Sequence, residues 1–390
     1  MARRRLRAGR RRSMEPQPPP ASLPVRLGEV IAGKYRIDEI LGAGGMGVVV
    51  GARHLQLAAQ VAIKFLLPEA VGQPDAVARF LREARAAAHI TSAHVIRITD
   101  VDALPSGAPY VVMELLSGRD LGAELAARGR LPVAEAAGWV LEALDAIAEA
   151  HRLGIVHRDL KPQNLFLAAQ ADGTRQLKVL DFGISKVTRT DWVGADLTVS
   201  RALLGSPAYM APEQLRNARD VDHRADLWAL GVILHQLVTG TLPFSGETLP
   251  TVCAAVLTAE TPSVARECPA APPAFARLVA ACLDKDPARR PQHAGELARA
   301  LAAFAPAAAA PLVARIARIS LQRGSSPTRL SGGEIPPTRR GDERVPPLAT
   351  SGARRRPRGA LLLLAVSGAV FVAGAAAAAW WLGRAPARPP

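Results

Sequence analysis

The sequence predicts an α+β chain of two lobes, a strand-rich lobe followed by a mainly helical one, with one membrane-spanning helix near the C-terminus. Three observations predict it. From Val30 to Ser117 the chain is dominated by short segments that alternate in strand fashion: "KYRIDEILG", "GVVVGARH", "QVAIKFL" and "APYVVMELL". After Ser117 the apolar residues take up helical spacing, as in "PVAEAAGWVLEALDAIAEAHRLG". Residues 359–383, "GALLLLAVSGAVFVAGAAAAAWWLG", carry no charge. At 1.5 Å per residue they are long enough to cross roughly 30 Å of hydrocarbon.

Each segment follows from its composition. Residues 1–34 are expected to form a basic, Pro-rich, disordered arm, and residues 1–24 contain no apolar run, so they do not read as a secretory signal. Residues 35–304 hold the folded part, with the small lobe at about 35–116 and the large lobe at about 117–304. Within the small lobe, "PDAVARFLREARAAAHI" sets Val77, Phe80, Leu81 and Ala84 on one helical face. Residues 305–358, rich in Ala, Pro, Ser, Gly and Arg, read as a disordered juxtamembrane linker. The span follows at 359–383 and a short tail at 384–390. Trp380 and Trp381 sit at one end of the span, where interfacial aromatics belong. Four arginines before it (354, 355, 356 and 358) against two after it place its N-terminal side in the cytoplasm. The chain is thus expected in the inner membrane, single-pass, with the folded domain inside the cell.

The net charge of +15 suggests nucleic acid until it is divided. Residues 1–34 hold nine Lys/Arg and two Asp/Glu; residues 305–390 hold thirteen and three. That leaves 27 basic and 29 acidic residues for 35–304. With the basic charge in the tails and a near-neutral domain between them, nucleic-acid binding by the folded part loses its main support, and none is expected. The three cysteines, Cys253, Cys268 and Cys282, have no C-x-x-C spacing, which fits a reducing compartment and no structural zinc.

"LGAGGMGVVV" (41–50) is a glycine-rich turn between strands, with Gly42, Gly44 and Gly47 in G-x-G-x-x-G spacing. Alone it fits a phosphate cradle or a plain hairpin. Lys64, on the apolar strand that follows, could grip phosphates, and Glu83, nineteen residues on in a helix, could hold its flexible stem. "GIVHRDLKPQNLFL" and "LKVLDFGISK" are more specific. Asn164 and Asp181 supply two oxygens on adjacent loops, which suits Mg²⁺. Asp159 is placed to accept a hydroxyl proton and to orient the attacking oxygen. Lys161 can neutralise charge on a transferring phosphoryl group. Phosphoryl transfer requires mainly positioning and charge stabilisation, and these residues form a set for it.

With these motifs in order the chain resembles the eukaryotic-type protein kinases, in particular the membrane-anchored Ser/Thr kinases of bacteria. The matches are G-x-G-x-x-G-x-V at 42–49, V-A-I-K at 61–64, H-R-D-L-K-P-x-N at 157–164, D-F-G at 181–183 and A-P-E at 211–213, with "DLWALG" at 226–231 and "DPARRP" at 286–291. The resemblance implies the bilobal protein-kinase fold, ATP as phosphate donor with Mg²⁺ (Mn²⁺ as a substitute), and protein Ser/Thr hydroxyls as acceptors. It implies that Gly42, Gly44 and Gly47, with Leu41, Ala43, Gly45 and Met46, cover the phosphates. Val49, Ala62 and Phe166 would sandwich the adenine. Met113 would be the gatekeeper, and backbone groups of Glu114 and Leu116 would bond the adenine edge. Lys64 would contact the α- and β-phosphates, braced by Glu83. His157 would be structural, Glu213 and Arg290 a buried pair, and Asp226 a brace for the catalytic loop.

Lys161 in "DLKPQN" and the stretch "GSPAYMAPE" resemble the Ser/Thr type; Ser206 stands where most relatives carry threonine. Residues 184–210 would be the activation loop, with Thr198 and Ser200 as phosphorylation sites that Arg158 would pair. A kinase-domain dimer is allowed as a partner. A pseudokinase scaffold would lack one of Lys64, Asp159, Asn164 or Asp181, and all four are present. A small-molecule phosphotransferase would lack the A-P-E and activation-loop patterns.

Overall fold

The computed structural model describes residues 23–43, 47–72, 74–182, 206–217 and 221–322. They form the two expected lobes. The small lobe contains β1 (Val30–Ile31), β2 (Tyr35–Ala43), β3 (Gly47–His54), β4 (Ala59–Leu66), α1 (Pro68–Val71), α2 (Pro74–Ala88), β5 (Ile98–Ala103) and β6 (Pro109–Glu114). Its six strands pair antiparallel in the order β1-β2-β3-β4-β6-β5. Side chains alternate across a strand, so β4 serves two layers. Ile63 and Phe65 pack with Ile37, Val48, Val50, Tyr110 and Val112 on one face. Ala62 and Leu66 pack with Phe80 and Ala84 of α2 and with Val111 and Met113 on the other. Lys64, between Ala62 and Leu66, shares this second face, which turns it toward α2.

The large lobe begins with β7 (Gly118–Asp120), α3 (Leu121–Arg128) and α4 (Val133–Arg152). A second sheet pairs β7 with β8 (Leu165–Ala169) and β8 with β9 (Arg175–Val179). The β8–β9 hairpin turns through residues 171–173. Then come α5 (Pro212–Arg216), α6 (Arg224–Thr239), α7 (Leu249–Thr258), α8 (Val264–Glu267), α9 (Pro273–Cys282) and α10 (Ala294–Leu301). α6 is apolar nearly all round, as a helix enclosed by a core should be, while α4 adds a stripe of Glu135, Glu142, Asp145 and Glu149 to its apolar face; Val140, Leu144, Ile147, Trp228 and Ile233 are fully buried. α6 ends at Gly240, whose left-handed backbone (φ 84°) closes the C-terminus.

Two boundaries differ from the sequence reading. The packed chain does not stop near Phe304. A further helix, α11 (Ala310–Leu321), places Ile316 at full burial and packs Leu312, Val313 and Ile319 on the large-lobe core. The stretch expected as linker therefore starts folded: "LVARIARIS" has helical apolar spacing, masked by the alanine- and proline-rich run before it. Likewise the N-terminal arm is not wholly separate. Val25 and Ile31 are buried in the small-lobe core, and β1 extends the sheet.

No helix among the described residues is long and apolar enough to cross a membrane. The expected span, 359–383, lies outside them.

Candidate active site

Three backbone devices bring the site residues together. The loop between α4 and β8 is hung from Asp226 on α6. Its Oδ1 accepts from the Arg158 amide (2.8 Å), and its Oδ2 accepts from the His157 amide (2.9 Å) and bonds His151 Nε2 (2.7 Å). Asp226 is fully buried, and burial alone would raise its pKa; the bonds from His151 and the loop overcome that and hold it below the usual carboxylate range. Gln214 of α5 adds a bond from Nε2 to the Arg158 carbonyl (3.0 Å). Arg158 sits at φ 64°, in the left-handed region that non-glycine residues rarely adopt, so the bonds around it hold a strained turn.

The second device sets Asp159. Its carboxylate Oδ2 accepts from Lys161 Nζ and from Asn164 Nδ2, each at 3.1 Å, and Asn164 Nδ2 also reaches the Asp159 carbonyl (2.7 Å). The Asn164 amide nitrogen is thus committed to Asp159, which leaves Oδ1 as the atom it can offer a cation. The third device stitches the next loop to this one: the Leu180 amide donates to the Asn164 carbonyl (2.8 Å), and His157 Nε2 bonds the Leu180 carbonyl (3.0 Å). Asp181 follows at once, at φ 40°. Phe182, fully buried, packs on the His157 ring at 4.9 Å between centroids.

Asp181 faces Lys64. The Lys64 ammonium donates to Asp181 Oδ1 at 2.6 Å. Burial disfavours the Lys64 charge, but Asp181, and behind it Glu83 and Asp159, hold its pKa above the ordinary value; Asp181 in turn is held below its own by Lys64. The expected brace is thus rearranged. Lys64 bonds Asp181, while Glu83 acts on it as a neighbouring charge from α2. Phe80, Glu83, Ala84 and Ala87 of α2 do line one pocket with Lys64, Val111, Met113, Asp181 and Phe182.

Above this, Val49 pairs with Lys64 across β3 and β4. Ala62 and Met113 are buried on the same layer, and Phe166 is half-buried on β8. The Glu114 amide donates to the Arg97 carbonyl (3.0 Å), so the backbone group it could offer a ligand is its carbonyl; its carboxylate is held by Lys178 (2.9 Å) and the Arg97 amide (2.8 Å). Leu116 follows, half-buried. Leu41, Gly42 and Ala43 end β2, exposed; Gly44, Gly45 and Met46 lie outside the described residues, as do Thr198 and Ser200. Glu213 and Arg290 form the expected pair, bidentate at 2.7 and 2.8 Å with the arginine buried.

Some residues in this frame carry no sequence motif of their own. His151 ends a long helix, and Gln214 looks like one more helical polar residue. Arg97 and Lys178 read as strand-surface charges. A potential signal for Gln214 was its position beside Pro212-Glu213; the others had none.

The protein kinase domain family model matches residues 35–301, so the chain belongs to the protein kinase family. Its relatives include serine/threonine-protein kinase pkn3 of Myxococcus xanthus, 40% identical over 270 residues that cover 69% of this chain and 49% of that protein. Serine/threonine-protein kinase PrkC of Bacillus subtilis is 34% identical over 271 residues, 70% of this chain and 40% of that one. The chain therefore spans half or less of the length of these relatives. Among solved structures, the kinase domain of Mycobacterium tuberculosis PknI is similar with a TM-score of 0.56 and 27% identity, covering 72% of this chain and 99% of that one.

Proposed function

We propose that the protein is a serine/threonine protein kinase that transfers the γ-phosphate of Mg-ATP to Ser and Thr hydroxyls of proteins. The observation that carries this reading is the convergence of two charged sets across the Leu180–Asn164 backbone bond. One is Asp159 with Lys161 and Asn164; the other is Asp181 with Lys64.

In this reading Asp159 orients the acceptor hydroxyl and takes its proton, and the bonds from Lys161 and Asn164 fix its rotamer. Lys161 and Lys64 lie where they can neutralise phosphate charge. Asn164 Oδ1 and the Asp181 carboxylate are hard oxygen donors on adjoining loops, a set that fits Mg²⁺. That ion, when bound, would screen the phosphate oxygens. The apolar face of half-buried Val49 with buried Ala62 and Met113, and Phe166 below, suits an adenine. Acceptor preference rests on Lys161 and on the named Ser/Thr kinases among the relatives.

Autophosphorylation at Thr198 or Ser200 with Arg158 as the phosphate's partner belongs to the same reading, as does anchoring through residues 359–383, which the uncharged length of that stretch supports.

Purified full chain should incorporate label from γ-labelled ATP in a Mg²⁺-dependent way. Phosphoserine and phosphothreonine should form without phosphotyrosine, and Asp159→Asn should abolish the signal. No transfer to the chain itself or to a broad protein panel would refute the kinase reading. Membrane fractionation of the full chain against one ending at 358 tests the anchor separately.

A further inference from the structure

Two carboxylates on α4 are buried side by side. Asp145 is fully buried and Glu149 is 3% exposed; four residues apart on one helix, they repel each other. The cation facing both comes from α11: Arg315 bonds Asp145 through Nη1 and Glu149 through Nη2 (3.3 Å). α11 is held to do so. Ile316 is fully buried, Ser320 Oγ accepts from the Gly295 amide (3.0 Å), and at Gly295 even a methyl group would meet Ser320 at 2.9 Å. Arg315 lies beyond the 35–301 span of the family match.

The same carboxylates, on a large-lobe helix, hold the small-lobe segment between α2 and β5. Glu149 Oε1 accepts from the Thr91 amide (2.9 Å) and the Thr91 hydroxyl (2.7 Å), and Asp145 Oδ2 accepts from the Ser92 hydroxyl (2.6 Å). Residues 91–96 run directly on from α2, the helix that carries Glu83. Their backbone also clasps β9: the Val179 amide donates to the His94 carbonyl (2.8 Å), and the Ile96 amide to the Val179 carbonyl (3.1 Å). Asp181 is two residues beyond Val179. One short segment therefore fixes both the helix of Glu83 and the strand leading to Asp181, and it hangs on two carboxylates whose charge Arg315 compensates.

We propose that Arg315 is a positioning residue for phosphotransfer, acting from α11 through Asp145 and Glu149 on segment 91–96 and so on Glu83 and Asp181. The proposal rests on the kinase reading. Without Arg315 the two carboxylates stay buried and uncompensated. They draw in water or part, and the bonds to Thr91 and Ser92 loosen. The site is misplaced rather than dismantled, and a shift of that kind lowers turnover.

Full-length Arg315→Met should lower kcat about tenfold at temperatures well below its Tm. Amide exchange at Thr91 and Val179 should quicken in the nucleotide-free protein, and Arg315→Lys should recover part of both. A variant that only loses Tm, with kcat and those amides unchanged, overturns the proposal. Should Arg315→Met not fold, Arg315→Lys decides: it should show a lowered kcat together with quickened exchange at Thr91 and Val179, and a folded Arg315→Lys with wild-type kcat and wild-type exchange at those amides overturns the proposal. The exchange readout in nucleotide-free protein does not depend on phosphate transfer. An inactive wild type would therefore sink the kinase reading, yet leave the link from Arg315 to Thr91 visible.

Discussion

The side-chain amide of Asn164 donates to Asp159 twice, to the main-chain carbonyl at 2.7 Å and to the carboxylate at 3.1 Å. Asn164 thereby fixes Asp159 and, in the proposed mechanism, presents Oδ1 to a cation. The two roles separate by measurement. Asn164→Ala should lower kcat about 10²–10³-fold, the scale for losing one preorganised polar group at a reacting centre. It should also raise the Mg²⁺ concentration that gives half-maximal phosphate transfer. A lowered kcat with an unchanged Mg²⁺ requirement would leave Asn164 as a clamp on Asp159 alone.

Asp226 carries the catalytic loop. It gathers His151 Nε2 and the amides of His157 and Arg158 at 2.7–2.9 Å. An asparagine there offers one acceptor oxygen and turns an NH₂ toward donors. Asp226→Asn should cost about 3 kcal/mol in urea unfolding at pH 7, the range for breaking a buried charged network. The pH dependence has a definite sign. Folding depresses the Asp226 pKa, so its contribution is full above the unfolded carboxylate value near 4 and is lost as pH falls through the lower folded value. The variant should have a flatter acid limb than wild type, and a limb of equal slope would contradict this assignment.

Much of the site was legible because its chemistry is local. His157, Asp159, Lys161 and Asn164 fall within eight residues, and Asp181 heads the next loop; no folding was needed to see the proposed cation ligands and the proposed base together. What stayed hidden depends on long separations. His151 meets Asp226 across 75 residues, and nothing in a helix-terminal histidine announces an aspartate partner. The partner of Lys64 was expected to be Glu83, since a helix and a strand in one lobe suggest a direct pair; the left-handed turn at Asp181, which brings its carboxylate to 2.6 Å, is a backbone feature that no residue type signals. α11 was concealed by composition, because the alanines and prolines of 305–311 resemble linker although Leu312, Val313, Ile316 and Ile319 carry a helical stripe.

The glycines of the loop differ in what they are for, and that makes the loop testable. A Cβ on Gly47 would lie 2.5 Å from the Phe65 carbonyl, so that glycine is required by the packing of β3 on β4. Among the described residues a Cβ on Gly42 would meet nothing within 4 Å. Gly47→Ala should therefore destabilise the small lobe by about 1–3 kcal/mol whatever the ligand. Gly42→Val should change stability by no more than about 0.5 kcal/mol and still raise KM for ATP about tenfold, since a branched side chain there obstructs the close approach of backbone to phosphate. Thermal unfolding and ATP titration of the two variants read this directly. A Gly42→Val enzyme with wild-type KM would return the stretch to an ordinary hairpin.

Lys285 sets an alkaline counterpart to the acid limb. Its ammonium donates to the Val256 carbonyl (2.7 Å) and lies over the Phe244 ring at 3.6 Å, yet burial, with Arg290 and Arg216 nearby, lowers its pKa to about 8. Between that value and the unfolded lysine value near 10.4 this site holds more protons in the unfolded chain, so its own contribution to stability rises with pH in this window. The thiols of Cys253 and Cys282 and the phenols of Tyr110 and Tyr209 act in the opposite sense. Burial raises all four, so the unfolded chain loses these protons first, the thiols from about pH 8.5 and the phenols from about 10. The lysine is therefore read as a difference. The stability of wild type relative to Lys285→Met should rise from pH 8 to about 10, on the order of 1 kcal/mol after solvent screening of a half-buried amine, on top of a fall that both share. If that difference does not change with pH, Lys285 makes no such contribution.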